Sequence, residues 1–276
     1  KDSVVLARID SFQSSQRSDF LFNPFNKIAV IEIDGVIHAG KNRHDVIFGE
    51  VSTGADQISA IFKKLAKDPF VQGVILRINS PGGSMVASDQ ILYSISEYKR
   101  KTKKPVFASM GTYAASGGYL IALGSDQIFA NPITITGSIG VYSSFLNLSD
   151  LEKDWDIDAT SFSTGKYMDV FSPHQSLTDD KKNMIAQHIH HSYLYFKDRV
   201  QESRNLTDDE AVALSQGQFM SGEEAKEVGL IDHIGNYTDV IAALEEEVGL
   251  SSSRVVVYGR PKTSQGLDFF NLFFAN

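Results

Sequence analysis

Residues 105–123 read PVFASMGTYAASGGYLIAL. After Pro105, the apolar run Val106 to Met110 reads as a buried strand. Gly111, Thr112 and Tyr113 read as a short turn. Ala114, Ala115, Ser116, Gly117 and Gly118 then lead into an apolar helix, Tyr119 to Leu123. One serine thus stands where a strand hands over to a helix. A helix N-terminus carries unpaired N–H groups and a partial positive charge, which favour an alkoxide or an oxyanion. Alanine and glycine neighbours let a substrate backbone come close. The same position also suits an ordinary N-cap serine, and the surrounding chain has to decide between the two.

Upstream, Lys27 to Ile33 (KIAVIEI) reads as a first strand, turned by Asp34 and Gly35. His38 to Glu50 is polar and reads as a loop. Thr53 to Lys67 fits a helix, with Ile58, Ile61, Phe62 and Leu65 at helical spacing and Thr53 as its cap. Val71 to Ile78 is a second buried strand that runs into Asn79-Ser80-Pro81-Gly82-Gly83-Ser84, followed by a helix from Val86 to Tyr98. A strand, a Pro-Gly-Gly turn and a helix together present a concave set of backbone N–H groups.

Downstream, Gln127 to Ala130 reads as a short strand, and Asn131 to Gly140 as a turn-rich segment with Ser138 between Gly137 and Ile139. Val141 to Leu148 and Ile157 to Phe162 read as strands around a short helix, Leu151 to Trp155. Thr164 to Pro173 is a loop, and Thr178 to Asn205 a long amphipathic helix with acids in its first turn. Helices follow at Leu206 to Leu214, around SGEEAKEVG, and at Tyr237 to Val248, with a late strand at Val255 to Tyr258. Strands alternate with helices, which argues for an α/β layered domain. In such sheets functional turns gather at one end of the strands, so Gly83, Ser116 and Ser138 are expected to meet.

The boundaries read as an N-terminal arm or linker over 1–26, a main domain over 27–250, and a strand with an apolar, interface-forming tail over 251–276. The chain opens KDSVVLARID without an initiator Met, which reads as a processed or excised piece of a longer protein.

The 276 residues carry a net charge of −8 and no long basic run, which argues against nucleic-acid binding. The absence of cysteine excludes disulfides, a thiol nucleophile and a Cys-based zinc site. No run of about 18 apolar residues suggests a membrane span. His188, His190 and His191 have no carboxylate at matching helical spacing and read as solvated or interface residues rather than metal ligands.

A serine hydroxyl attacks only when a base takes its proton. His38, His44, His174 and His233 sit in no recognisable triad context, and the G-x-S-x-G elbow is absent around Ser116. The other solution is a lysine kept neutral by burial. Lys166, between Gly165 and Tyr167, is a candidate. Gly83 and Gly117 would offer the two backbone donors that an oxyanion site needs.

NSPGGS at 79–84, AASGGY at 114–119, TGSIG at 136–140 and FMSGEEAKEVGLIDHIG at 219–235 resemble, in this order and spacing, the signal peptide peptidase A family of Ser/Lys serine proteases. The chain resembles most the serine-bearing C-terminal half of the long, two-repeat members. The resemblance covers roughly Lys27 to Leu250. It implies a Clp-protease-like, crotonase-related layered α/β fold of repeated strand-strand-helix units. It also implies Ser116 as nucleophile, Gly83 and Gly117 as oxyanion donors, and Ser138 as the residue that orients the lysine. Signal-peptide remnants would be the substrates, and no cofactor is expected. Further implications are a homo-oligomer or a missing N-terminal half as partner, and membrane association through a segment absent here, facing the extracytoplasmic side.

One departure stands out. In Gly165-Lys166-Tyr167-Met168-Asp169, Met168 occupies the family's lysine slot. Lys166 substitutes from two residues away, or the lysine comes from another half or subunit, or the site is inactive and the chain is a non-catalytic assembly subunit. An acyl-CoA enzyme of the crotonase type is a further alternative, one that does not need a serine at this helix start.

Overall fold

Three apolar strands form the centre of one parallel sheet: β1 (Lys27–Asp34), β5 (Val71–Ser80) and β6 (Val106–Ala115). The computed structural model describes residues 26–44 and 51–259. Between β1 and β5 lie β2 (Val36–His38), β3 (Arg43–His44), β4 (Val51–Gly54) and α1 (Ala55–Leu65). Helix α2 (Met85–Thr102) joins β5 to β6, and α3 (Gly117–Ala122) follows β6 directly. Next come β7 (Gln127–Ala130), β8 (Ile135–Gly137), α4 (Ser149–Asp154) and the long α5 (Asp179–Arg204). The chain continues through α6 (Asp208–Leu214), β9 (Phe219–Met220), α7 (Gly222–Glu227), β10 (His233–Ile234), α8 (Tyr237–Glu247) and β11 (Arg254–Tyr258).

The main sheet runs β10-β7-β6-β5-β1-β11, with β8 added beside the end of β6 and β9 paired antiparallel to β8. A small second sheet has the order β2-β4-β3. The central strands are apolar nearly throughout because both faces are covered, as parallel sheets require. Ala29, Ile31 and Ile33 of β1, with Leu76, Ile78 and Ala108, pack into the core shared with α1, α2 and α3. The alternate residues Ile28, Val30, Ile75 and Phe107 pack under Val240 and Leu244 of α8. Each side chain of this size, fully buried, contributes roughly 1.5–3 kcal/mol. The expected α/β layering is thus present, and the carboxyl ends of β1, β5 and β6 lie together at Asp34, Ser80 and Ala115.

Some local expectations are corrected. Gly111 to Tyr113 is not a turn that ends the strand: β6 continues to Ala115. Register with β5 shifts from Ile78↔Met110 to Ser80↔Ala114, a bulge held by Asn79 Oδ1, which accepts from the Thr112 amide at 3.1 Å. Thr53 does not cap α1. It lies in β4, and its hydroxyl bonds the Asp34 amide and carbonyl, both at 2.9 Å, while Gly54 takes the N-cap position. Val141 to Leu148 and Ile157 to Phe162 form no strand, because neither finds a ladder partner among the described residues. The expected late strand is present, and it pairs with β1 from Lys27↔Arg254 to Ile31↔Tyr258 as the edge of the main sheet. The arm, part of the 38–50 loop and the apolar end of the tail lie outside the described residues.

Candidate active site

Ser116 sits at the corner between β6 and α3 with φ 51° and ψ −122°. Positive φ is uncommon for a residue with a Cβ and costs about 1–3 kcal/mol. Five non-glycine residues in the described chain have it. Lys103 and Asn205 are left-handed C-caps of α2 and α5, and Asp156 follows α4 closely, so these three accompany helix ends, where that conformation is common. The other two are Ser116 and Ser138, both at φ 51°. Although Ser116 occupies the N-cap position, its hydroxyl makes no cap hydrogen bond, and the simple N-cap reading fails. Its backbone is held on both sides: its amide donates to Gly137 O at 2.9 Å, and its carbonyl accepts from the Leu120 amide at 2.9 Å.

The Pro-Gly-Gly turn faces this corner. Gly82 and Gly83 have φ of +105° and +149°. The Gly82 carbonyl accepts from Ile37 N, and Ser84 N donates to Ile37 O, each at 2.8 Å. These bonds sew the turn to β2. Because a trans peptide sets N–H opposite to C=O, the Gly83 N–H points away from β2. Gly117 is the first residue of α3, and its amide is one of the helix's unpaired donors. The two amides belong to one small space: a Cβ on Gly117 would lie 3.4 Å from Gly83 N, and one on Gly82 would lie 2.8 Å from both Gly117 N and Ser116 Cβ.

Ser138 follows β8, and its amide donates to Gln218 O at 2.8 Å. Gly83, Ser116, Gly117 and Ser138 all line a single cleft of about 870 Å³. Its walls include Val36, Met85, Leu120, Val141, Tyr142, Tyr193 and Phe196, and among the described residues none that lines it is Asp, Glu, Lys, Arg or His. Sequence reading missed Tyr193 and Phe196 of α5 and the Ser215 to Gly217 rim, because no local motif marks them.

Lys166 is not among the lining residues. It is 60% exposed and ion-paired with Asp180, with its ammonium 5.3 Å from the Tyr167 ring centre. The Asp180 and Tyr167 contacts raise its pKa and favour the charged ammonium. Met168 is exposed. Nearby, Asp169 pairs with the buried Lys181 at 2.7 Å, so two ion pairs tie the 166–169 turn to the start of α5. Three of the four candidate histidines have other partners: His38 bonds Ser52, His174 bonds Glu152, and His233 stacks on Phe129. Among the described residues no group of His, Cys, Asp or Glu could hold a metal ion.

The profile of peptidase family S49 matches residues 98–251. The chain is 34% identical over 233 residues to a putative protease of Methanocaldococcus jannaschii, spanning 84% of this chain and 74% of that protein. The chain belongs to peptidase family S49. It is 32% identical to a putative signal peptide peptidase SppA of Enterococcus faecium, over 86% of this chain and 68% of the relative. Protease 4 of Haemophilus influenzae is 37% identical over 82% of this chain, but the match spans only 36% of that longer protein. A solved serine-to-alanine mutant of the 1510-N membrane-bound stomatin-specific protease superposes with a TM-score of 0.53 at 16% identity, over 86% of this chain and 99% of that one. The fold is the Clp-protease-like α/β layering, and the S49 member described here is a peptidase of the signal peptide peptidase A group. Among its described residues no helix is long and apolar enough to cross a membrane.

Proposed function

We propose that this chain is a serine endopeptidase that hydrolyses extended apolar peptides, such as cleaved signal peptides, by a Ser/Lys mechanism. The observation that carries the reading is the corner itself: a strained Ser116 with a free side chain, beside the Gly83 and Gly117 amides, in one cleft. Ser116 Oγ attacks the scissile carbonyl, and a neutral lysine amine takes the proton. The tetrahedral oxyanion accepts hydrogen bonds from the two amides. The lysine then protonates the leaving amine, and water releases the acyl group by the reverse steps. Ser138, beside Ser116 at the end of the β6–β8 strand pair, orients the amine. Cleft walls in which Val36, Met85, Leu120, Val141 and Phe196 alternate with glycine and serine, with no formal charge among the described lining residues, suit an extended, uncharged peptide.

The base comes from a second polypeptide unit. In support, the described residues that line the cleft of one chain include no lysine or histidine, and Lys166 is held charged by Asp180. Exposed Tyr142, Trp155, Phe162, Met168 and Phe171 mark the 141–171 segment as one that a neighbouring copy covers. Lys166 of such a copy, or a lysine of a preceding half, completes the site. The assembly sits on the extracytoplasmic face of a membrane, anchored through a segment outside this sequence.

Turnover of a fluorogenic apolar peptide tests the reading. Ser116→Ala is expected to abolish it, and retained activity contradicts the assignment. Lys166→Ala separates the two sources of base, since loss of activity selects Lys166 of a neighbouring copy. The exposed Met168 in the lysine slot favours a second reading, a peptide-binding subunit without catalysis. Activity that arises only in Met168→Lys supports that one.

A further inference from the structure

Ser80 closes β5 and is wholly buried, so it touches neither solvent nor substrate. Its hydroxyl donates to the Gly35 carbonyl at 2.6 Å and accepts from the Gly82 amide at 3.1 Å. Its own carbonyl lies against the start of α3: a Cβ on Gly118 would come within 2.8 Å of Ser80 O. One residue therefore contacts the three chain segments that meet at the corner, namely the turn after β1, the Pro81 to Ser84 turn, and the helix start after Ser116.

The contacts fix an orientation as well as a position. Gly82 has no side chain to restrict its backbone, and its φ of +105° is open to few other residues. Its amide is held by Ser80 Oγ and its carbonyl by Ile37 N at 2.8 Å. The peptide planes on both sides of Gly82 are thereby set. The second plane contains the Gly83 N–H, so its direction depends on both anchors. A hydroxyl can donate and accept at once, which is what this bridge between two backbone segments requires.

We propose that Ser80 is a positioning residue for the oxyanion site: its hydroxyl aims the Gly83 amide at the carbonyl that Ser116 attacks. This role rests on the peptidase reading above. A misplaced donor costs transition-state stabilisation more than ground-state binding.

The experiment uses the full chain and a fluorogenic apolar peptide, with kcat, KM and thermal melting measured for each variant. Ser80→Ala is expected to lower kcat about 10- to 100-fold with KM changed less than about threefold. Ser80→Cys, nearly isosteric but a weak hydrogen-bonding group, is expected to lose kcat in the same way and guards against misfolding of the alanine variant. Ser59→Ala is the comparison for a purely structural loss, since Ser59 bonds Ser94 at 2.9 Å on α1 and does not line the cleft. It is expected to keep kcat whatever it does to melting. Wild-type kcat in the folded Ser80 variants, or a fall in kcat that Ser59→Ala matches, overturns the positioning role. Turnover that survives Ser116→Ala overturns the peptidase reading instead, so the two failures are distinguishable.

Discussion

The Ser116 amide donates to the Gly137 carbonyl at 2.9 Å, one residue before Ser138. This bond continues the pairing of β6 with β8, in which Ala115 lies opposite Gly137. The two cleft serines, with their shared left-handed φ, are thus held in register by the end of one parallel strand pair. Neither depends on a side-chain contact for its place, so both hydroxyls are left to the cleft.

Gly83 is expected to tolerate no side chain. Its φ is +149°, and a Cβ there would lie 2.2 Å from the Ile37 carbonyl oxygen, a backbone atom with little room to move. Gly83→Ala should cost about 2–4 kcal/mol through strain and overpacking. Gly249 also has positive φ (+70°), but nothing lies within 4 Å of its Cβ position. Gly249→Ala should cost only about 1 kcal/mol. Thermal denaturation of the two variants compares packing plus strain with strain alone.

Tyr119→Phe should destabilise by about 1–2 kcal/mol. The Tyr119 hydroxyl donates to Leu230 O at 2.7 Å, and both residues are wholly buried. Burial raises the pKa of this phenol, so it stays neutral and able to donate. Removing it leaves the Leu230 carbonyl without its partner. Denaturant titration measures the loss.

Acid should weaken the link between α5 and the turn before β10. Burial alone would raise the pKa of Asp232, but Arg204, at 2.7 Å, and the Ile128 amide, at 2.8 Å, hold it below the usual carboxylate value. A depressed folded pKa means that the contribution is complete above the unfolded value, near pH 4, and is lost as pH falls through the folded pKa. The fall in melting temperature below about pH 4 should therefore be shallower in Asp232→Asn, which is already less stable at neutral pH. An unchanged acid profile in that variant would contradict the assignment.

The sheet and most helices could be read from the sequence because their signals are local. Continuous apolar runs marked β1, β5 and β6. First-turn acids marked α5, and in the structure the Thr178 and Thr207 hydroxyls accept from backbone amides at the starts of α5 and α6. In sequence Gly111 reads as a breaker that ends the strand at Met110, whereas in the fold it lies in a bulge packed on Asn79. Val141 to Leu148 has strand composition, but a strand also needs a ladder partner, which composition cannot reveal. At the site, Gly83, Ser116, Gly117 and Ser138 were legible from motifs and do share the cleft. The walls from α5 and the Ser215 to Gly217 rim were not, because they approach only through tertiary packing. Lys166 reads as a candidate base from its neighbours in sequence, whereas the fold places it with Asp180 on the surface.

The most direct measurement is covalent labelling of the full, assembled chain with a serine-reactive phosphonate, with the modified peptide identified by mass spectrometry. The expected result is a single adduct on Ser116 that disappears in Ser116→Ala. No adduct on the assembled wild-type protein, or an adduct that survives Ser116→Ala, would contradict the account.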